Sequence, residues 1–499
     1  MAFDQIIKGT ILPRVPLKEL FEADNSAEST NYTAYKAPGY RPDAAQLIGA
    51  NEPFVKIGGE IVKNIETLLI DETGFIPTIS MVFVDDIGHF GGEKFPKTNL
   101  IMNVYLKVGS EKLKPIRADF LITSIKSMGP KYTGEYRGAT IGATYMVRGE
   151  LYIPNLYRNV SKAYAGLSSK NALKAVCEEL GLGFAENESS PNDKMTWINP
   201  NMSNLEFMKE VVEHAYQDDD SFFMGWIDKY YYFNYIEVNR QLKIGDLQRT
   251  FIAVANPLAN DATQKSKESG RKAELEEATT INYLTTELNF KGAPNHVIEI
   301  SMLSDQGSIL KSHGYKKQIY YYDHLKAAQE DPSEKFTDFF MSPLRSLDRN
   351  EERFLIPEEE SLADNTISKW INIDYGNTHP EWNAARLLNS HNLKELNKLK
   401  LKLKINHVNF QVLKGFSVPL LVTIQKAEEI LKATDNDQTK QNKKSSSDYS
   451  LDEQLPDSQL TDYYYVQGAK YWYDRLDPNL LYTELFLTKR DWKPSKTID

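Results

Sequence analysis

Residues that could do chemistry are few in this sequence, and their spacing is poor for it. Cys177 is the single cysteine, so a thiol nucleophile exists only there, and neither an intrachain disulfide nor a cysteine-built zinc or iron–sulfur centre can form. Leu173 and Leu180 flank Cys177 at helical spacing, which gives the thiol the surroundings of a small buried hydrophobe. The eight histidines are His89, His214, His296, His313, His324, His379, His391 and His407. No two are three or four residues apart, the spacing that places two metal ligands on one helical face. Asp218, Asp219 and Asp220 lack the alternate acids, the glycine and the distal glutamate of a calcium loop and read as a solvated turn. Gly88, Gly91, Gly92 and Lys94 imitate a phosphate-binding loop without its spacing or its following hydroxyl. The H-E-x-x-H, G-x-S-x-G and dinucleotide patterns are missing. With 69 acidic residues, no single carboxylate pair of a glycosidase stands out. The sequence therefore assigns no catalytic, cofactor-binding or metal-ligating residue and implies no cofactor.

The charge balance narrows the partners. Against those acids stand 59 basic residues, for a net charge of −10, so the surface as a whole repels a phosphate backbone. Lys398, Lys400, Lys402 and Lys404 alternate with Leu399, Leu401, Leu403 and Ile405. That stripe could touch nucleic-acid phosphates, but it equally suits the wet face of a strand whose charges guard against wrong pairing. A lone cysteine suits a reducing compartment. Residues 1–10 lack the features of a signal peptide, and apolar stretches such as 417–424 fall far short of the roughly 20 residues of a spanning helix.

Positioning any site falls to elements that the patterning makes visible. A chain of 499 residues is long for one domain, and two to four folded units are expected. Its 41% hydrophobic and 26% charged content is that of a globular protein. Residues 1–55 hold five prolines and read as an N-terminal arm. From 56 to 157 the period is two: Ile116, Ala118, Phe120 and Ile122 alternate with Arg117, Asp119, Leu121 and Thr123, as strands of a small antiparallel barrel do. Residues 158–250 read as an α/β module. Leu173, Val176, Cys177 and Leu180 mark a helix with Ser168 or Ser169 at its start and Gly181 at its stop. Ser203 and Glu206 form the capping box of a second. Two aromatic runs, 221–227 and 230–236, follow as a hairpin turning at Asp228 and Lys229.

Residues 251–294 read as a charged linker and 324–365 as a charged connector. The runs 295–303 and 315–323 read as strands, and a helix is expected from Pro380 to about Leu396. Residues 366–424 and 461–492 then form a second β unit, interrupted by a flexible insertion at 425–460 centred on Lys443, Lys444, Ser445, Ser446 and Ser447.

Three stretches together resemble the central hub proteins of contractile phage tail baseplates, the late control protein D family, and the hub half of type VI secretion spike proteins. They are IETLLIDETGFIPTISMVFVDD from Ile65, NLEFMKEVVEHAYQDDDSFFMGWIDKYYYFNY from Asn204, and the closing pair YYYVQGAKYWY from Tyr463 and LYTELFLTKRDW from Leu481. The arm and the insertion at 425–460 have no counterpart in the family, and neither a lysozyme nor a β-helical spike is fused. The resemblance implies a β-rich α+β fold: two tube-like antiparallel β-barrels joined by an α/β module, with 295–323 completing the first barrel. It implies a non-enzymatic virion protein of the tail baseplate, assembled in the bacterial cytoplasm, whose homotrimer adapts a six-fold tail tube to a three-fold spike. Partners implied are the tail tube, central spike, baseplate wedge and tape measure proteins, with DNA only in transit. The 28 tyrosines suit contact surfaces. Two other readings stand beside it: a peptidoglycan hydrolase with a hidden carboxylate pair, and a receptor or carbohydrate binder using Tyr471, Trp472 and Tyr473 as platforms.

Overall fold

The protein is described by a computed structural model that covers residues 53–85, 88, 90, 100–106, 116–133, 140–187, 189–218, 221–242, 281–283, 297–304, 316–323, 336–341, 366–373, 379, 382–397, 399–405, 414–422, 460, 462–477 and 481–489. Of the expected arm at 1–55, residues 1–52 lie outside the described residues, as does nearly all of the insertion at 425–460, and Phe54 and Val55 belong to the first strand of the sheet.

Period-two patterning produces the N-terminal half of a large curled sheet. Its strands are β1 (Phe54–Ile57), β2 (Glu60–Ile61), β3 (Ile65–Asp71), β4 (Thr78–Asp85), β5 (Ile101–Leu106), β6 (Ile116–Thr133) and β7 (Thr140–Leu151), ordered β3-β4-β7-β6-β5-β1-β2. Ile116, Ala118 and Phe120 are fully buried while Arg117 and Asp119 are half-buried, so the alternation seen in the sequence is the pleat itself. Between β3 and β4 the chain turns through Asp71, whose Oδ1 accepts from Thr73 N at 2.8 Å and Thr73 Oγ1 at 2.6 Å.

The C-terminal half contains β13 (Ile281–Tyr283), β14 (Val297–Ser304), β18 (Leu399–Ile405), β19 (Ser417–Val422), β20 (Asp462–Asp474) and β21 (Leu481–Thr488). In β18 the leucines at 401 and 403 and Ile405 are buried, and Lys400, Lys402 and Lys404 are half-exposed. Strand β20 pairs antiparallel with β3, from Lys470 opposite Asp71 to Asp474 opposite Thr67. That pairing fuses the halves into one 13-stranded sheet.

Strand placement departs from expectation in two places. Strand β14 pairs with β18 in the C-terminal half rather than completing the N-terminal one. Strands β15 (Lys316–Asp323) and β17 (Thr366–Ile373) pair with each other and, through β15, with β16 (Phe336–Met341), in a separate three-stranded sheet. Strand β16 falls inside the expected charged connector and β13 inside the expected linker. Alternation fixes which face of a strand is wet and is silent about its neighbour.

The α/β module lies between the halves in sequence. Strand β8 (Asn159–Leu167) pairs with β10 (Met195–Ser203), and β9 (Gly183–Glu186) runs parallel to β12 (Tyr232–Glu237), which pairs with β11 (Phe223–Ile227). Helix α1 (Ser169–Leu180) buries Ala172, Leu173, Val176, Cys177 and Leu180. Gly181 ends it in the left-handed region at φ 70° and ψ 26°, where a Cβ is costly. Ser168 holds the N-cap position without a side-chain bond; Asp193 caps from a distance instead, its Oδ1 accepting from Ser169 N at 3.0 Å. Helix α2 (Asn204–Glu213) starts with both bonds of the Ser203–Glu206 capping box.

The aromatic hairpin turns over four residues, not two. Asp228 Oδ1 accepts from Tyr230 N at 2.8 Å and Tyr232 N at 3.0 Å, and Tyr231 takes φ 64°, an aspartate-nucleated turn that replaces the missing glycine. Helix α3 (Trp382–Asn397) closes the C-terminal end of α2. The Asn389 amide donates to the carbonyls of Val212, Glu213 and Ala215 and accepts from Phe223 N. One contiguous core runs through both sheet halves and the module, from Val55 through Cys177 and Trp226 to Leu487.

Candidate functional surface

The β3–β4 turn is bonded by side chains from the module and from the C-terminal half, which adds to the β3–β20 pairing in joining them. Glu72 is buried and accepts from Lys229 N at 2.8 Å and Lys229 Nζ at 2.9 Å; the same ammonium donates to Tyr471 Oη at 2.9 Å. Lys229 therefore ties the module to β3 and to β20 at once. Lys414, also buried, donates to the carbonyls of Thr73 at 3.0 Å and Gly74 at 2.8 Å and lies over the Trp226 ring. Burial lowers the Lys414 pKa to about 8, against the raising pull of Glu72 and Asp71. Gly415 beside it has φ 85°, and a Cβ there would collide with Trp226.

The seam between the halves carries an ordered row of charge. Following the register, Glu299 lies opposite Lys404, Lys404 opposite Glu484, Glu484 opposite Lys470, and Lys470 opposite Asp71. Signs alternate along five strands, β14 to β3, and the row crosses the junction. Ion pairs form within it or diagonally from it: Lys470 with Asp71 at 3.2 Å, Lys402 with Glu484 at 2.9 Å, and Lys404 with Asp477 at 2.9 Å. Rings are interleaved on the same face. Lys404 lies 4.0 Å from the Tyr482 centroid, Lys470 lies 5.7 Å from that of Phe486, and Trp472 stacks on Tyr482 at 5.9 Å. Cross-strand pairs of opposite charge stabilise a sheet by roughly 0.2–1 kcal/mol each. They also satisfy the lysines internally, so a polyanion meeting this face has to displace carboxylates to bind.

The sequence candidates fall apart in space. Cys177 is buried in the α1 core, and burial raises its thiol pKa. His214 and His379, far apart in sequence, meet: His379 Nε2 donates to the His214 carbonyl at 3.1 Å, and His214 stacks on Trp382 at 3.5 Å while its Nδ1 bonds the Trp382 carbonyl at 2.8 Å. Burial holds both imidazoles below their ordinary pKa, His214 at about 4. His89, His296, His313, His324 and His407 lie outside the described residues, as do Asp219, Asp220, Gly91, Gly92 and Lys94. Asp218 accepts from Ser221 Oγ at 2.7 Å. Among the described residues, no group of three or more metal-ligating side chains converges, and no helix is long and apolar enough to cross a membrane. Tyr471 and Tyr473 are buried, and Trp472 is half-buried against Tyr482, so these rings pack instead of standing out as platforms.

A cavity of about 480 Å³ opens between α2, β11 and α3, lined by Phe75, Lys209, Val212, Phe223, Arg386 and Leu393 among others. Among the described residues that line it, the one acid, Glu213, is paired with Arg386 at 3.3 Å. Glu72 and Lys414 escaped the sequence reading, and Lys229 entered it only as a turn residue. A buried ion pair leaves no periodic trace, and a lysine at a hairpin tip looks solvated.

No family model and no curated protein matches the chain. Among solved structures, the chain is similar to a tail protein from Neisseria meningitidis MC58, at 11% identity and a TM-score of 0.44, covering 88% of this chain and 97% of that one. It is similar to the 43 kDa tail protein of prophage MuSo2 from Shewanella oneidensis, at 10% identity and a TM-score of 0.46, covering 88% and 99%. A third is an E. coli component of the type VI secretion system, itself described as structurally similar to the T4 tail proteins gp27 and gp5, at 9% identity and a TM-score of 0.39, covering 89% and 80%. These three are two tail proteins and a type VI secretion component.

Proposed function

We propose that this chain is a structural virion protein, the trimeric central hub of a phage tail baseplate, which adapts a six-fold tail tube to a three-fold spike. The observation that carries the reading is the β3–β20 seam. Two β regions distant in sequence, one of seven strands and one of six, join edge to edge into one 13-stranded sheet. Each half serves as one tube-like barrel, so that three copies present six similar walls around a passage. The alternating charge row supports a face along which DNA slides, since its lysines are already engaged by carboxylates and rings. Spike, tube, wedge and tape measure proteins are the partners this role requires.

Mass measurement of the purified chain, followed by electron microscopy, tests the reading. A mass three times that of the 57.0 kDa chain and rings with a central hole are expected. A stable monomer that stays monomeric when mixed with tail tube and spike proteins overturns it. Release of muropeptides from cell walls, abolished by substituting one Asp or Glu, would put the hydrolase in its place.

A further inference from the structure

Helical spacing sorts the lining of the cavity between α2, β11 and α3. From α2 come Lys209, Val212 and Glu213, and from α3 come Arg386, Asn389, Ser390 and Leu393, residues three and four apart that share a helix face. Strand β11 adds Phe223 and Met224, and the β3–β4 turn adds Phe75. The apolar members are the covered ones: Phe223 and Val212 are buried and Phe75, Met224 and Leu393 are half-buried, whereas Lys209 and Arg386 are exposed. Hydrogen bonds hold this shape. Those of the Asn389 amide fix α3 against the end of α2 and the start of β11, and Ile227 N donates to the Phe75 carbonyl at 2.8 Å, which fixes the turn against the end of β11. The volume of about 480 Å³ falls within the roughly 300–1,000 Å³ of preformed ligand sites.

Of the charges that line the cavity, one is left over. Arg386 Nε pairs with Glu213 Oε2 at 3.3 Å, and Glu210 on the same helix also acts on Arg386. Glu206, the remaining acid of α2, accepts from Ser203 N at 3.1 Å and Ser203 Oγ at 2.9 Å in the capping box. Lys209 lies over the Phe75 ring, 5.4 Å from its centroid, and forms no ion pair among the described residues. An occupant that complements this lining brings one carboxylate to Lys209 and one apolar group to Phe75, Phe223 and Leu393. A second acid would meet Glu213 and Glu210, and a cation would meet Lys209.

We infer that this cavity takes a segment of a partner protein in which one bulky apolar side chain stands beside a single aspartate or glutamate, the apolar group filling the cavity and the carboxylate pairing with Lys209. Because the cation that receives the carboxylate is exposed, the polar end of the occupant stays in water, as the backbone of a polypeptide requires. An apolar anchor in a covered pocket beside a solvent-facing ion pair is the arrangement of an interface hot spot. The net charge of −10 repels an acidic segment from the surface at large, so that binding of one reports a local cation. This inference stands apart from the hub reading.

The full chain, carrying carbon-13 in its methionine methyl groups, is titrated with a capped peptide in which phenylalanine precedes aspartate between glycines and serines. Met224 lines the cavity. Its methyl signal, assigned with Met224→Leu, is expected to move saturably, while that of Met128, exposed on β6, stays in place. Replacing the peptide's aspartate by asparagine weakens binding about fivefold, the upper reach of an exposed ion pair, and replacing its phenylalanine by alanine weakens binding at least about tenfold. In Lys209→Gln, with an unchanged melting temperature, the aspartate and asparagine peptides bind alike, because the pair that distinguishes them is gone. Lys126→Gln, on β6, leaves the difference as it was. A Met224 signal that does not move, a difference that survives in Lys209→Gln, or equal binding of all three peptides would overturn the inference. Phenylacetate moving the Met224 signal at lower concentration than the peptide would assign the cavity to a free carboxylate and overturn the partner segment.

Discussion

At the scale of single residues, the Glu72–Lys229–Tyr471 cluster shows how a buried charge acts. Removing one partner leaves the other ionised without compensation in the interior, which costs about 3–5 kcal/mol. Lys229→Ala and Glu72→Ala are each expected to lose that much in urea unfolding. The double variant Glu72→Leu with Lys229→Met should lose clearly less than the sum, because no uncompensated ion remains. The buried histidine pair gives a pH dependence with a definite sign. His214 titrates at about 4 in the folded chain and near 6.5 when unfolded, so the unfolded state binds more protons between those values. Its stabilising share, about 3 kcal/mol, is present above pH 6.5 and is lost as pH falls through 4. Glu237 acts oppositely. Burial raises its pKa to about 7 despite backbone bonds from Arg240, Phe222 and Asn239, so its share is present below 4.5 and is lost as pH rises through 7. The wild type minus His214→Gln difference in unfolding free energy, measured from pH 4 to 7, should rise with pH; a flat difference would refute the assignment. The burial of Cys177 was legible beforehand, because helical periodicity reports burial. His214 and His379 became neighbours through 165 residues of intervening chain, which no local spacing encodes.

At the scale of elements, legibility follows how local the determining interaction is. The α2 capping box involves residues three apart, and its sequence signature is its structure. Ser203→Ala should cost about 1 kcal/mol, read as a lower denaturation midpoint, with Ser203→Asp recovering most of it. Gly181 was legible for the same reason: the helix stop needs a left-handed residue at one position. The start of α1 was not, since its cap is Asp193, 24 residues downstream. The hairpin at Asp228 was found but its length was misjudged, because an aspartate side chain performs the turning that a glycine backbone would otherwise do. Strands β14 and β15 were recognisable as strands, and their pairing partners were not. A period of two names the faces of a strand, and partner choice depends on edges that only the assembled sheet defines.

At the scale of the whole molecule, the β3–β20 seam unites two separately patterned β regions, and its strength depends on charges placed in register. Lys470 is the pivot: it lies between Glu484 on one side and Asp71 on the other, and it bonds Asp71 at 3.2 Å. Lys470→Glu places three carboxylates side by side across β21, β20 and β3. Each like-charge pair replaces an opposite-charge pair worth up to ~1 kcal/mol, so the three strands together should lose about 2 kcal/mol, roughly half of it at the seam, with more of the effect at low salt. The loss should be local. Amides of β3 and β20 at the seam should exchange with solvent faster in Lys470→Glu, while those of β6 and β7, several strands away, should keep their protection. Asp71→Lys combined with Lys470→Glu restores one opposite-charge pair and should recover part of the protection. Lys470→Met, which removes the charge without reversing it, should fall between the wild type and the reversal. If exchange at the seam is the same in all four proteins, the charge row contributes nothing to joining the halves, and the backbone ladder with the buried Glu72–Lys229–Tyr471 tie must hold them unaided.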